Sequence, residues 1–156
     1  MRSLVPLLLV GLLCCSFLGV TYAGDIAVVV NLQNKMEGLS FVDLIRIFRQ
    51  ERQYWENGQK IYLILQEAGS PEKELVLRRI YRMKNEELKK FWLAKMFRGE
   101  ISSFPKTLGS NEAVKRFVSQ VPQAIGFIDV SFVDERVKVL RINGKLPGQP
   151  GYVLGE

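Results

Sequence analysis

The sequence predicts an α/β layered domain. Two observations carry this: short β-branched runs such as residues 26–30, Ile-Ala-Val-Val-Val, read as buried strands, and between them lie stretches whose apolar residues recur at helical spacing. Read in order, the elements run β-α-β-α-α-α-β-β, the alternation of a sheet covered by helices.

The first strand ends at Asn31, and after a polar loop Ser40 can cap a helix, with Asp43 answering at the third helical position. Phe41, Leu44, Ile45 and Phe48 then fall at i, i+3, i+4 and i+7, one apolar face. The charged stretch 49–52 ends that helix, and Asn57-Gly58 turns the chain into a second buried strand over 61–65. Gly69-Ser70-Pro71 opens a second helix, with serine at the cap and proline at the first helical position, where its missing N–H costs little. Val76, Ile80 and Met83 give it an inner face while Arg78, Arg79 and Arg82 stay wet. A third helix spans 85–97, with Leu88, Phe91, Trp92 and Met96 on one side and Gly99 just past its end. Ser110 starts a fourth, in which Val114, Phe117, Val118 and Val121 keep the spacing until Pro122 stops it. Residues 124–130 and 137–142 read as the last two strands, and the glycine- and proline-rich tail 144–156 as an extended strap over the surface.

Residues 1–23 read as a secretory signal peptide: Arg2, an apolar run from 4 to 13 continuing through Val20, then Thr21-Tyr22-Ala23 as a small-residue cleavage site. An uncleaved anchor would need about 20 unbroken apolar residues, and Cys14, Cys15, Ser16 and Gly19 interrupt this run. Lipidation fits poorly, because Leu12 and Leu13 stand where small residues are needed before the cysteine. The expected mature domain is 24–156, periplasmic or secreted, with no stable membrane span after cleavage. Cleavage removes both cysteines, and Arg2 with them, so that 21 of the 22 cations remain against 16 acids. A disulfide and a Cys-ligated metal site are then impossible. With no histidine in the chain, the commonest general base and metal ligand is missing. No catalytic residue, cofactor or metal is expected, and no nucleic-acid partner.

Three blocks between 26 and 142 together resemble the phosphate-type substrate-binding proteins of ABC transporters. The first is Val28-Val29-Val30-Asn31, a loop, then Leu39-Ser40 with Leu44, Ile47-Phe48, Trp55 and Asn57-Gly58. The second is Gly69-Ser70 at a helix start, and the third is Val121-Pro122-Gln123-Ala124-Ile125-Gly126-Phe127, similar to the family's Pro-Gly-Ala-Ile-Gly-Tyr strand entry. The resemblance implies a periplasmic-binding-protein-like fold of type II with a central mixed sheet flanked by helices. Family members are roughly twice this long and close two lobes over an oxyanion, so a domain of this length implies a single lobe.

The resemblance also implies a ligand site, at Gly69 and Ser70. In the family this loop carries an arginine followed by Gly-Ser-Gly-Thr, which surrounds phosphate with a guanidinium, hydroxyls and N–H groups at a helix start. Here Gln66 stands at the arginine position, Pro71 replaces the second glycine and Glu72 the threonine, with Glu67 close by. Each change removes a donor or adds negative charge. Ser40 and Asn31 are further candidate contacts, Asn31 because α/β folds place ligands at strand ends. Against the ligand role stands the plainer one of cap and turn residues for Gly69, Ser70, Ser40 and Asn31. Trp55 and Trp92 have core spacing, and residues 86–90 read as a solvated helix face.

Two functions follow from these residues. One is an exported oxyanion-binding protein, for phosphate or a related anion, accessory to a transporter or to phosphate sensing. The other is an interaction module that kept the lobe fold, lost the ligand and meets another envelope protein. The signal reading makes its own prediction: intact mass spectrometry of the envelope fraction should find a chain beginning at Gly24, and a retained Met1 or a lipid on Cys14 or Cys15 would sink it.

Overall fold

The computed structural model describes residues 24–155, so the expected signal peptide lies outside the described residues. Strand β1 (Ile26–Val30) is buried at all five positions, which requires a layer of packing on each face of the sheet. It runs antiparallel to β5 (Ala124–Asp129) on one side and to β6 (Lys138–Val139) on the other. Beyond β5 lie β3 (Tyr62–Gln66) and then β4 (Lys106–Leu108), both parallel to β5. The order β4-β3-β5-β1-β6 is a mixed five-stranded sheet, and β2 (Gly38–Leu39) pairs separately and in parallel with β7 (Arg141–Ile142).

Alternation along the strands sends side chains to two cores. Val28, Val30, Leu63, Leu65, Ile125 and Phe127 face the larger one, which is completed by α1 (Phe41–Phe48), α2 (Pro71–Val76) and α3 (Asn85–Phe97). Ala27, Val29, Ile64, Ala124 and Ile128 face the smaller one, where α4 (Asn111–Gln120) contributes Val114 and Val118. Gly126 lies under α4 in this face. A Cβ there would stand 2.8 Å from Val114 Cγ1, so the helix reaches the sheet only because the side chain is missing. Inside the larger core Tyr81 meets Trp92 edge-on at 6.0 Å and donates its hydroxyl to the Phe48 carbonyl at 2.7 Å. Burial pushes its phenol well above the usual tyrosine range.

Each of the four helices forms within a residue or so of where the apolar spacing puts it, and Ser40, Ser70 and Ser110 all accept the N–H three residues on. Asp43 departs from the expected box: its carboxylate takes the Ser40 hydroxyl at 2.9 Å instead of the Ser40 N–H. The second helix is α only to Val76, then widens into a π turn over Leu77–Tyr81 and stops at Arg82 with φ 53°. β3 begins one residue later than expected and so includes Gln66. Strand β4 gives no signal, since three residues with one apolar side chain at an exposed edge show no alternation.

The single strand expected over 137–142 is two. Leu140 donates its N–H to Val28 and is buried, and the chain then leaves β1 to pair with β2. The tail is not a strap over the surface. Leu154 is fully buried, its carbonyl accepts the Ile26 N–H at 3.0 Å, and Tyr152 donates its hydroxyl to the Ile26 carbonyl at 2.7 Å. The tail therefore continues the edge of β1 that β6 leaves uncovered. Among the described residues no helix is long and apolar enough to cross a membrane.

The contact beneath α4 is testable. Gly126→Ala should lower stability in denaturant unfolding by about 1–3 kcal/mol, the usual penalty of overpacking. Adding Val114→Ala should recover part of the loss, and strictly additive effects would show that the two positions do not touch.

Candidate functional site at the carboxyl ends of the parallel strands

Strands β3, β4 and β5 run in parallel and end together at Gln66, Leu108 and Asp129, the edge at which α/β sheets place ligands. Two helices start there, α2 after the Glu67-Ala68-Gly69-Ser70 loop and α4 after Gly109-Ser110. Gly69 holds φ 90° with open space around its α-carbon, a conformation that L side chains rarely adopt. That turn delivers Ser70 to the cap, where its Oγ accepts the Lys73 N–H at 3.1 Å.

Behind the cap is a closed polar network. The Gln66 amide donates to Asn111 Oδ1 at 2.8 Å and to the Phe127 carbonyl at 3.1 Å. Asn111 donates to Glu72 Oε1 at 2.6 Å, while its own Oδ1 also accepts the Asp129 N–H at 3.0 Å. Gln66 and Glu72 are 2% and 7% exposed, so these bonds replace water for both. The Glu72 carboxylate thus lies in the first turn of α2 and against the first residue of α4, where helix polarity favours negative charge.

No family model matches the sequence, and no curated protein matches it. Solved structures do. A phosphate transport receptor from Vibrio cholerae superposes with a TM-score of 0.65 at 23% identity, over 80% of this chain and 48% of its own. A structure described as a phosphate ABC transporter substrate-binding protein with bound phosphate, from Clostridium perfringens, gives 0.64 at 20% identity, over 78% and 46%. PstS from Borrelia burgdorferi gives 0.66 at 16%, over 84% and 54%. The chain has the fold of the phosphate-type substrate-binding proteins. It spans about half the length of these structures, in keeping with a single lobe of that architecture.

Within this lobe the sequence candidates lie at separate places. Ser70 and Gly69 stand at the strand-end edge just described. Asn31 lies at the opposite end of the sheet, beside the Val30–Ile125 pair, where its amide donates to Val118 and Ser119 carbonyls at 2.9 Å each and so caps the end of α4. Ser40 caps α1 beside β7, where Asn143 accepts the Phe41 N–H. Trp55 is buried and donates to the Gln123 carbonyl at 3.0 Å.

Asn111 and Lys73 are functional candidates that only the folded chain reveals. Lys73 shares the stripe 73, 76, 77, 80 with Val76, Leu77 and Ile80, so its helical position marked it as inward-facing although its charge argued otherwise. Asn111 had no comparable signal, because its partners come from β3, α2 and β5. Removing it should be costly. Asn111→Ala leaves Gln66 and Glu72 buried without their shared partner, and chemical denaturation should show a loss of about 2 kcal/mol or more, against near zero if water replaces the amide.

Proposed function

We propose that this chain acts in the cell envelope as an interaction module built on the phosphate-receptor lobe, and does not receive phosphate itself. One observation carries the proposal: two of the three residues that depart from the family's ligand loop, Gln66 and Glu72, are joined to each other through Asn111. A carboxylate of the chain's own occupies the place for negative charge, Pro71 offers no N–H, and the Ser70 hydroxyl is engaged in its cap. To admit phosphate the protein would have to displace a hydrogen-bonded buried acid and accept repulsion between it and the anion. Exposed apolar side chains on and after α3, Leu93, Phe97 and Phe104, are suited to a protein contact. The rival reading, an oxyanion receptor accessory to uptake or sensing, draws on the likeness in fold to proteins named for phosphate.

Isothermal titration with phosphate separates them. We expect no binding in the micromolar range, and Ser70→Ala should cost about 1 kcal/mol of stability as a lost cap with no change in anion response. The combined variant Gln66→Arg, Pro71→Gly, Glu72→Thr should gain phosphate affinity. Micromolar binding by the unaltered chain, about −8 kcal/mol, weakened tenfold or more by Ser70→Ala, would return it to the receptors.

A further inference from the structure

Three lysines are buried in this lobe, and they are treated differently. Lys95 is held by Glu100 at 2.9 Å, and Lys115 by Glu112 at 2.9 Å and Asp134 at 2.8 Å. Lys73 is 4% exposed, yet among the described residues no carboxylate is paired with its ammonium and no carbonyl accepts from it. Among the described residues no fully buried side-chain nitrogen lacks a partner, so the Lys73 ammonium keeps its contact with the open space beside it, and that opening is where a counter-charge can reach it.

Lys73 lines a cavity of about 450 Å³ between the end of β3, α3 and the segment before β4, a volume within the ~300–1,000 Å³ usual for small-molecule sites. Leu88, Trp92, Leu93 and Phe104 contribute apolar walls, and Leu93 and Phe104 are themselves partly open to solvent. The cavity lies on the α3 side of α2; Gln66 lines it too, while its partners Asn111 and Glu72, which join α2 to α4, do not. A phosphate dianion needs several donors around it. Here the lining carries two ammonium groups, Lys73 and the already paired Lys89, among mostly apolar walls, which suits a monoanion with a hydrophobic body.

We propose that this cavity binds a small carboxylic acid with an apolar body, of medium-chain alkanoate or aryl-alkanoate size, whose carboxylate pairs with Lys73 while its body packs on Leu88, Trp92, Leu93 and Phe104. Association supplies the missing counter-charge and covers the apolar wall in one step. The charged groups around Lys73 do not supply it internally. Lys89, also on the lining, pairs with Glu86 at 2.9 Å; Glu67 lines the cavity without pairing with Lys73; and Glu74, the neighbour in sequence, only partly offsets the desolvation that holds the Lys73 amine down at about 8.

Calorimetric titration of the full chain with octanoate, octanol and octylamine tests the proposal independently of phosphate. Octanoate should bind saturably at one site, about tenfold or more tighter than octanol, with octylamine weakest. Lys73→Met should abolish the preference for octanoate while leaving octanol binding in place. Should that variant fail to fold, an NMR titration of the Lys73 side chain in the unaltered protein gives the same answer, because octanoate must raise its midpoint. Absence of saturable octanoate binding, equal affinity for octylamine, or a midpoint that octanoate leaves unmoved would overturn the assignment.

Discussion

The pairing of β1 with β5 governs the rest of the lobe. These two strands are joined over five antiparallel residue pairs, from Ile26–Asp129 to Val30–Ile125, and helices cover them on both faces. Burial on both faces excludes polar side chains from the middle of either strand, since an unsatisfied group there costs a few kcal/mol. It also sets the spacing of the layers. On the α4 side β5 presents Gly126, so the helix sits close, while on the other side Phe127 fills a deeper core with Phe48, Tyr81 and Trp92 near one another. The edge of β1 needs cover as well. β6 with the adjoining Leu140, and the tail at Leu154, supply it in turn, so that two separate segments serve this edge.

With the middle of the sheet apolar, polar chemistry is confined to its ends. At the carboxyl ends of the parallel strands Gln66, Asn111 and Glu72 satisfy one another and the backbone of β5. At the other end Asn31 closes α4 in the same manner. The first of these is where α/β proteins have free helix-start donors to offer a ligand. Here the donors are spent internally, and the first turn of α2 carries Glu72 as its own anion. A fold of this kind is retained by its apolar layers, which do not depend on the ligand, so the strand ends can change without loss of the lobe.

Charge away from the sheet follows ordinary pairing. Asp134 lies against Arg136 and Lys115, and their hydrogen bonds hold its carboxyl well below the usual range; Glu112 is lowered by the same two cations, Lys115 first. Such depressed acids stabilise the fold above their unfolded-state range and lose that contribution as pH falls through the folded one. These groups are close to solvent, which screens much of the effect. Lys73 departs from the pattern: it is 4% exposed, and among the described residues no acid is paired with its ammonium.

Local pattern determined the element list: β-branched runs marked β1 and β3, helical spacing marked the four helices, and Ser40, Ser70 and Ser110 marked their starts. These signals are legible because they come from neighbours in sequence, at a period of two or of three to four residues. The resemblance in residues 26–142 likewise foreshadowed the single-lobe fold. What a single residue does across the chain was not legible. Asn31 read as a turn residue and Asn111 gave no signal, yet Asn31 reaches two carbonyls of α4 and Asn111 three groups from β3, α2 and β5 that only the folded chain brings near. The three residues of β4, the break at Leu140 and the burial of the tail depend on partners 41 or more residues away, as with Gln66 and Leu108 or Ile26 and Leu154. Sequence alone determined the helices and the longer strands, because those are settled by local apolar period; tertiary structure decided the short strands β2 and β4, the split of β6 from β7 and which polar groups meet at the strand ends, because those depend on partners distant in the chain.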